Sequence, residues 1–304
     1  MYNKIDLKNK LESIHRKSYP AYKSLRGSYT FGDFVLSIDH VQGDPFAAPS
    51  SLHVELPLKK AGFPEKYLEK RHTKTALEDL ILRSFSKALD QYSFKAKGSG
   101  KSGLISTSRP GPEVMRRTAV EFNNIALVVR FEVGFPANGR TINAQELEKI
   151  LLEFLPEIVK TCLFYRSWEK AKIQTCYELA ENQQRIREVL EERKLVAFCA
   201  NRSILPRKSG VSSQPLKGAI EFQSPESMEI SIDLPFGNSI RGMGIPEGVT
   251  LIIGGGYHGK STLLQALEQG VYNHIKGDGR EYVITRADAL KLRAEDGRAV
   301  SHLD

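Results

Sequence analysis

The chain has 304 residues, of which 40% are hydrophobic and 26% charged, and it carries a formal net charge of +8. This composition is ordinary for a water-soluble protein of about two domains. No apolar run is long enough to cross a membrane, and the N-terminus has no signal-peptide core, so we expect a cytoplasmic protein. The cysteines Cys162, Cys176 and Cys199 form no Cys-x-x-Cys pair, which argues against a zinc site or a disulfide framework. We expect each of them to be a small buried residue.

The N-terminal half mixes helical and strand patterns. Apolar residues recur every three or four positions in the helical segments and alternate with polar residues in the strands. The predicted helices are 7–14, 73–92, 143–155 and 165–194, and the predicted strands are 34–38, 52–56, 119–122 and 125–133. We expect Pro156 to kink or break the third helix, because proline lacks the N–H that a helix interior needs.

The C-terminal part is richer in loops. Residues 201–215 are predicted to be an exposed loop and residues 236–248 a glycine-rich connection, whereas 219–222 and 228–234 have strand patterns. Residues 249–253 are nearly all apolar and β-branched. That pattern is typical of a strand buried on both faces of a sheet.

A glycine-rich segment follows this last predicted strand directly. Its residues fit the phosphate-binding pattern G-x-x-x-x-G-K-[ST]: Gly254, Gly255, Gly256, Tyr257, His258, Gly259, Lys260 and Ser261. Glycines permit positive φ angles and let backbone N–H groups turn toward an anion. The alternative is a glycine-rich turn with a surface lysine. A strand, this loop and a helix in that order favour a nucleotide site.

Three side chains at the end of the segment have distinct predicted roles. Lys260 would reach the β- and γ-phosphates, and the Ser261 hydroxyl would bind Mg²⁺. Thr262 would donate a hydrogen bond to the α-phosphate. The helix expected to start at Ser261 would add the partial positive charge of its N-terminus.

The segment 244–264, which contains this loop, resembles the start of an ABC-type ATPase. More narrowly, it resembles the bacterial predicted ABC-class ATPases, whose loop also reads Gly-Gly-Gly-Tyr-His-Gly-Lys-Ser, so His258 is typical of that family. Further runs that resemble the family are 22–27, 38–47, 98–103, 277–288 and 293–298. The resemblance therefore extends over nearly the whole chain.

This resemblance implies an α/β chain with two parts. The first is an N-terminal α+β accessory domain at residues 1–165, and the second is the first part of a P-loop ATPase domain at residues 166–304. It implies ATP and Mg²⁺ as cofactors and a nucleotide-driven conformational machine. We expect that this machine is not itself a transporter, because no apolar run here is long enough to span a membrane. A homodimer is one state that it leaves open for the full-length protein.

The sequence departs from the family after the phosphate loop. Family members continue with a Walker B strand ending in Asp-Glu and with a signature segment, whereas the candidate strand 282–285 ends at Arg286. We therefore expect a truncated sequence that binds nucleotide but lacks the carboxylate that orients the attacking water. The catalytic residues stay unknown. The alternative is a permuted order in which 229–233 or 35–39 supplies the Walker B aspartate.

A basic, glycine-rich stretch is the second candidate site. The basic residues between positions 95 and 117 are Lys95, Lys97, Lys101, Arg109, Arg116 and Arg117, against the single acid Glu113. One hypothesis is contact with the phosphates of RNA or single-stranded DNA, in a module that nucleotide modulates. A second is contact with the nucleotide of a facing domain. The third is a solvated, mobile loop.

Two smaller features have competing interpretations. Asp39, His40 and Asp44 stand close enough in sequence for a metal site, but a hydrogen-bonded corner is the favoured interpretation. Phe236 lies upstream of the phosphate loop, where ABC proteins place an aromatic ring against adenine. A buried core position explains Phe236 equally well.

Overall fold

The computed structural model describes residues 2–256, 258–292 and 297. Within them the α-helices are α1 (Lys4–Ile14), α2 (Leu58–Ala61), α3 (Arg71–Tyr92), α4 (Ala144–Glu148), α5 (Leu155–Cys162), α6 (Lys170–Glu192) and α7 (Lys260–Gln269). A π-helix spans Lys149–Phe154, and 3₁₀-helices span Tyr19–Leu25, Glu65–Tyr67, Tyr165–Ser167 and Glu226–Met228.

The strands of the same residues are short except in the two main sheets. They are β1 (Tyr2–Asn3), β2 (Gly27–Thr30), β3 (Val35–His40), β4 (Ser50–Pro57), β5 (Ile105–Ser106), β6 (Glu113–Val114), β7 (Val120–Phe122), β8 (Ala126–Val133), β9 (Ala137–Asn138), β10 (Thr141–Ile142), β11 (Leu195–Ala200), β12 (Arg207–Ser209), β13 (Ser212–Pro215), β14 (Glu229–Ile232), β15 (Ile240–Pro246), β16 (Asn273–His274) and β17 (Val283–Thr285). The chain is a mixed α/β protein, as the sequence predicts.

Contacts divide the chain into two compact units. Unit 1 comprises Met1–Pro110 and Arg116–Tyr177, and unit 2 comprises Gly111–Met115 and Glu178–Asp304. The short piece 111–115 therefore belongs to unit 2, although the chain on both sides of it belongs to unit 1.

Unit 1 is built on one sheet with the strand order β1-β2-β3-β4-β8-β5, and β7 also pairs with β8. The pairs are antiparallel except β1 with β2. Residues of β4 and β8 alternate, so Val54 and Val129 enter the same buried cluster as Leu11, Phe85 and Val159 from three helices. Helices thus cover one face of the sheet. The opposite face carries polar side chains such as Ser37, His53 and Arg130, which are paired across β3, β4 and β8, as the alternating pattern of 34–38 and 52–56 predicts.

The predicted helix at 143–155 does not end at Pro156. Helical structure runs from Ala144 through the π-helix Lys149–Phe154 into α5, which ends at Cys162. Pro156 lies in the first turn of α5. The wider π-turn before it accommodates a residue that cannot donate a backbone hydrogen bond.

Unit 2 centres on a four-stranded antiparallel sheet with the order β14-β15-β11-β17. One face packs on α6, where Ile186 and Leu190 meet Phe198 in a buried cluster. The other face packs on α7, where Ala266 joins a cluster with Met243. The sheet is therefore held between the two helices.

The sequence patterns of residues 201–248 give the least accurate predictions. Residues 219–222 form no strand, and part of the predicted loop 201–215 is the β12–β13 hairpin. β15 lies within residues 236–248, which the sequence predicts to be a glycine-rich connection. Its glycines allow close approach of neighbours, since a Cβ at Gly242 would lie 2.3 Å from the Cys199 carbonyl oxygen. Glycine here indicates a tight strand contact and not a loop.

Candidate phosphate-binding site

The helix predicted after the glycine-rich loop is present as α7 and begins at Lys260. Gly259 caps it in the left-handed region, with φ 80° and ψ 2°. A residue with a Cβ adopts this conformation at a cost, so the pattern needs glycine at this position. The Gly259 carbonyl oxygen accepts the first helical bond, from the Leu263 N–H at 2.9 Å.

The Lys260 side chain crosses the loop. Its ammonium group donates to the carbonyl oxygen of Gly254 at 2.7 Å and to that of Gly255. The loop is tight, because a Cβ at Gly255 would lie 2.8 Å from Nδ1 of His258. Tyr257, which the sequence also predicts to bind nucleotide, lies outside the described residues. Gly256 is exposed. The loop therefore places two of its own carbonyl oxygens against the Lys260 ammonium.

The buried strand predicted at 249–253 is wrong for the described chain. These residues have no strand pairing, and Val249, Leu251 and Ile253 are 101%, 79% and 78% exposed. A strand buried on both faces needs neighbours that take up its N–H and C=O groups. No described strand lies beside it. The segment has the apolar composition of a buried strand, but none of the described residues pairs with it.

The two hydroxyl residues of the predicted site lie on the first turn of α7. Ser261 is exposed and Thr262 is partly exposed. Among residues 2–256, 258–292 and 297, no group of three or more His, Cys, Asp or Glu side chains is arranged to hold a metal ion. An exposed serine at a helix N-terminus fits Mg²⁺ of the kind that is held by few protein ligands together with phosphate and water. Ser261 would be the protein ligand.

The C-terminal end of α7 is held by a residue that the sequence patterns do not identify. The guanidinium of Arg187, on α6, donates to the carbonyl oxygens of Gly270 at 3.3 Å, Val271 at 3.1 Å and Thr285 at 2.8 Å. It also donates to Oδ1 of Asn273 at 2.8 Å. Burial lowers the pKa of Arg187 from its usual value. A cation beside the last carbonyls of a helix complements the negative end of its dipole.

A buried polar network continues from this end of α7. Nδ1 of His274 lies 2.7 Å from Oδ2 of Asp278, and its Nε2 lies 3.2 Å from the Gln269 carbonyl oxygen. Arg207 donates to the same Asp278 oxygen at 2.7 Å. Burial, followed by the positive charge of Arg207, lowers the pKa of Arg280 to about 10. The segment 277–288 therefore helps to hold the C-terminal end of α7 in place. The sequence alone does not predict this role.

Two family models match the chain, one for each part. The model for the N-terminal domain of the ATPases of the ABC class matches residues 4–166, and the model for the P-loop domain of ABC ATPases matches residues 169–304. The chain belongs to the ABC-class ATPase family. The boundary predicted between residues 165 and 166 stays a prediction, as does the truncation.

This ABC-class ATPase is also similar to an archaeal protein. It is 39% identical over 118 residues to the "Uncharacterized protein MJ1628" of Methanocaldococcus jannaschii. The match covers 36% of the chain and 26% of the archaeal protein. None of the helices in the described ranges has the length and apolar character needed to cross a bilayer.

The basic residues of the ABC-class ATPase between positions 95 and 117 have different surroundings. Arg117 pairs with buried Asp79 at 2.5 Å, and Arg109 pairs with Asp90 at 2.5 Å. The ammonium of Lys95 lies 4.6 Å from the centre of the Tyr92 ring. The Lys97 ammonium donates to the Phe94 carbonyl oxygen at 3.0 Å. Lys101 lies among the glycines of 98–103, and Arg116 is exposed further along the chain.

The remaining candidates occupy local hydrogen bonds. Oδ1 of Asp44 accepts from the N–H of Phe46 at 2.8 Å, so this carboxylate stabilises a corner as the favoured interpretation states. Asp39 bonds to His53 and His40 is exposed. Phe236 is only partly buried, and the Asn182 side chain holds its backbone N–H and carbonyl. Its predicted role beside adenine stays a prediction.

Proposed function

We propose that residues 254–262 bind Mg-ATP through its phosphates. The observation that carries this proposal is the left-handed cap at Gly259, which starts α7 at Lys260 directly after a loop of glycines. Lys260, the first residue of α7, places its ammonium against the loop carbonyls of Gly254 and Gly255. Free N–H groups and a cation at one point make a favourable anion site.

The Lys260 contacts indicate how the loop would respond to nucleotide. Within the described residues its ammonium bonds to backbone carbonyls and forms no ion pair. A triphosphate offers the same ammonium a charged acceptor, and charge-assisted hydrogen bonds are about twice as strong as neutral ones. Lys260 would therefore leave the loop carbonyls for the β- and γ-phosphates, while Ser261 would hold Mg²⁺ and Thr262 would contact the α-phosphate.

The proposal covers binding and not turnover. Hydrolysis needs a carboxylate to orient the attacking water, and the proposal names no residue for that step. It places the protein in the cytoplasm and leaves a homodimer as one form of the full-length protein. The cytoplasmic location is supported by the cysteine spacing, which is typical of a reducing compartment.

Calorimetric titration with ATP, ADP, AMP and adenosine, each with Mg²⁺, tests the proposal. Recognition through phosphates predicts an affinity that falls with each phosphate removed, and no detectable heat for adenosine. An affinity for adenosine equal to that for ATP would overturn it, because the site would then recognise the base.

One observation also favours a second function, the binding of single-stranded nucleic acid at the basic loop. Phe46 is 62% exposed and packs on the loop, where a Cβ at Gly100 would lie 2.9 Å from its Cδ1. Phe94 is 53% exposed and accepts a hydrogen bond from the Lys97 ammonium on its carbonyl. Exposed aromatic rings beside lysines provide base stacking and phosphate contact together.

A salt series with a fluorescent oligonucleotide separates this function from a solvated loop. We expect binding that weakens steeply with salt and that is reduced both by Phe46→Ala and by Lys97→Glu/Lys101→Glu. Binding unchanged by all of these substitutions would remove the hypothesis. Lys59→Glu/Lys60→Glu, at two exposed lysines of α2, is the control with the same change in charge.

A further inference from the structure

The polar face of the unit 1 sheet contains a groove that the nucleotide site does not use. It has a volume of about 450 Å³, and its lining includes Leu52 of β4 and Phe131 of β8. Its walls are the segment 106–108, which begins with the last residue of β5, and the segment 118–119, which precedes β7, both on the same side of β8. The groove exists because these two segments leave a gap along β8. Its volume lies within the usual range of small-molecule sites.

A row of three side chains runs across the groove. The register places Glu132 opposite Ser51 on one side and opposite Ser106 on the other. Side chains that are directly opposite on one face of a sheet stand within reach of a shared ligand. Within the described ranges Glu132 has no ion pair, so its carboxylate is available between two hydroxyls.

A β-bulge brings a second carboxylate to the groove. The register of β3 with β4 shifts between Ile38 and His40, which leaves Asp39 as the extra residue. Bulges re-aim side chains and are frequent beside functional sites. Oδ2 of Asp39 lies 2.6 Å from Nδ1 of His53, and the carboxylate remains half exposed.

The positive charge in the groove is already neutralised. Arg130 donates to Oε1 of Glu121 at 2.8 Å and to the Thr118 carbonyl oxygen at 2.5 Å. Glu121 thus pairs with the guanidinium that lines the groove, and the lining carboxylates of Asp39 and Glu132 add negative charge in a chain whose net charge is +8. Its electrostatic preference is for a cation, and its hydroxyls accept hydrogen bonds from N–H donors.

We propose that this groove binds a small aliphatic diamine or polyamine, with its ammonium groups on Glu132 and Asp39 and its N–H donors on Ser51 and Ser106. The ligand would lie between the segments 106–108 and 118–119. Between these two segments the chain runs through β6, which belongs to unit 2 and pairs there with β16. Occupancy would therefore restrain the chain that carries β6.

Calorimetry with putrescine and spermidine at fixed ionic strength tests the proposal, with 1,4-butanediol as the uncharged probe of matched length. We expect both amines to bind and the diol to give no heat. Glu132→Gln keeps the size and polarity of an exposed side chain, and it should weaken putrescine binding about tenfold, which corresponds to about 1.4 kcal/mol. Glu12→Gln, at an exposed carboxylate of α1 in the same unit, should leave the affinity unchanged within about twofold.

Hydrogen exchange of the unaltered protein is the second readout. Putrescine should slow exchange in peptides that cover 104–109 and 117–120, and should leave α1 unchanged. Equal weakening by Glu132→Gln and Glu12→Gln would show general charge screening and overturn the proposal. Binding of the diol as tightly as the diamine, or absence of both heat and protection, would overturn it as well.

Discussion

Replacing Arg187 by methionine should loosen the C-terminal end of the phosphate-loop helix. Methionine keeps most of the apolar stem but removes the guanidinium that bonds to the carbonyls of Gly270, Val271 and Thr285 and to Asn273. Those acceptors would be left without a charged donor at a partly buried position. The perturbation acts on the end of α7 that is opposite to the phosphate loop.

The magnitude follows from the kind of bond that is lost. A hydrogen bond to a charged group contributes about 1.5–3 kcal/mol, and such contributions from one side chain do not add fully. Removing one member of a buried charged network typically costs about 3–5 kcal/mol. We therefore expect the opening free energy of α7 to fall by about 3 kcal/mol, which is a roughly 10²-fold faster amide exchange.

Hydrogen exchange with mass spectrometry measures this directly in a peptide that covers 266–275. Arg185→Met is the matched control, because Arg185 lies on the same helix but pairs at the surface with Glu188 and Glu192. The control should change the exchange rate of that peptide by less than about threefold. A change that small in the Arg187 variant would refute the view that this residue anchors α7.

Three further predictions concern buried groups. Asp79→Ala leaves two arginines without their buried partner and should destabilise unit 1 by about 3–5 kcal/mol in denaturant unfolding, whereas Asp90→Ala, at an exposed pair, should cost about 1 kcal/mol or less. Burial raises the pKa of Glu78 above its ordinary value of 4.5, so the stabilisation from its protonated form is complete below pH 4.5 and is lost as the pH rises through the folded-state pKa. Glu78→Gln should therefore flatten that part of the curve of unfolding free energy against pH, and an unchanged slope would count against the assignment. Gly270→Ala would place a Cβ 2.8 Å from a hydroxyl oxygen and should cost about 1–3 kcal/mol, while Gly210→Ala, with no atom within 4 Å of its Cβ position, should be nearly neutral in the same assay.

Local sequence patterns predict the elements whose own residues have a clear helical or strand periodicity. The helix at 73–92 is α3 within two residues, and the strand at 125–133 is β8 within one. The phosphate loop and the start of α7 follow from glycine spacing and the lysine, since both depend on neighbouring residues only.

The rest depends on residues that are distant in sequence. Arg187 lies 98 residues from Thr285, so no window of the sequence shows that it holds α7. β15 is wrongly predicted to be a connection, because its glycines permit close strand contact here but are also typical of loops. The apolar run 249–253 has the composition of a buried strand, but burial needs pairing partners that its own residues cannot supply.

Calorimetric titration of Mg-ATP into the unaltered protein and into Lys260→Ala tests the central claim most directly. Lys276→Ala is the control, because it removes one exposed lysine from the same unit. We predict that ATP binds the unaltered protein and the control with similar affinity, and that Lys260→Ala lowers the affinity at least about tenfold, the effect of losing one charge-assisted contact. Equal affinity in Lys260→Ala and Lys276→Ala would contradict the assignment of residues 254–262 as the nucleotide site.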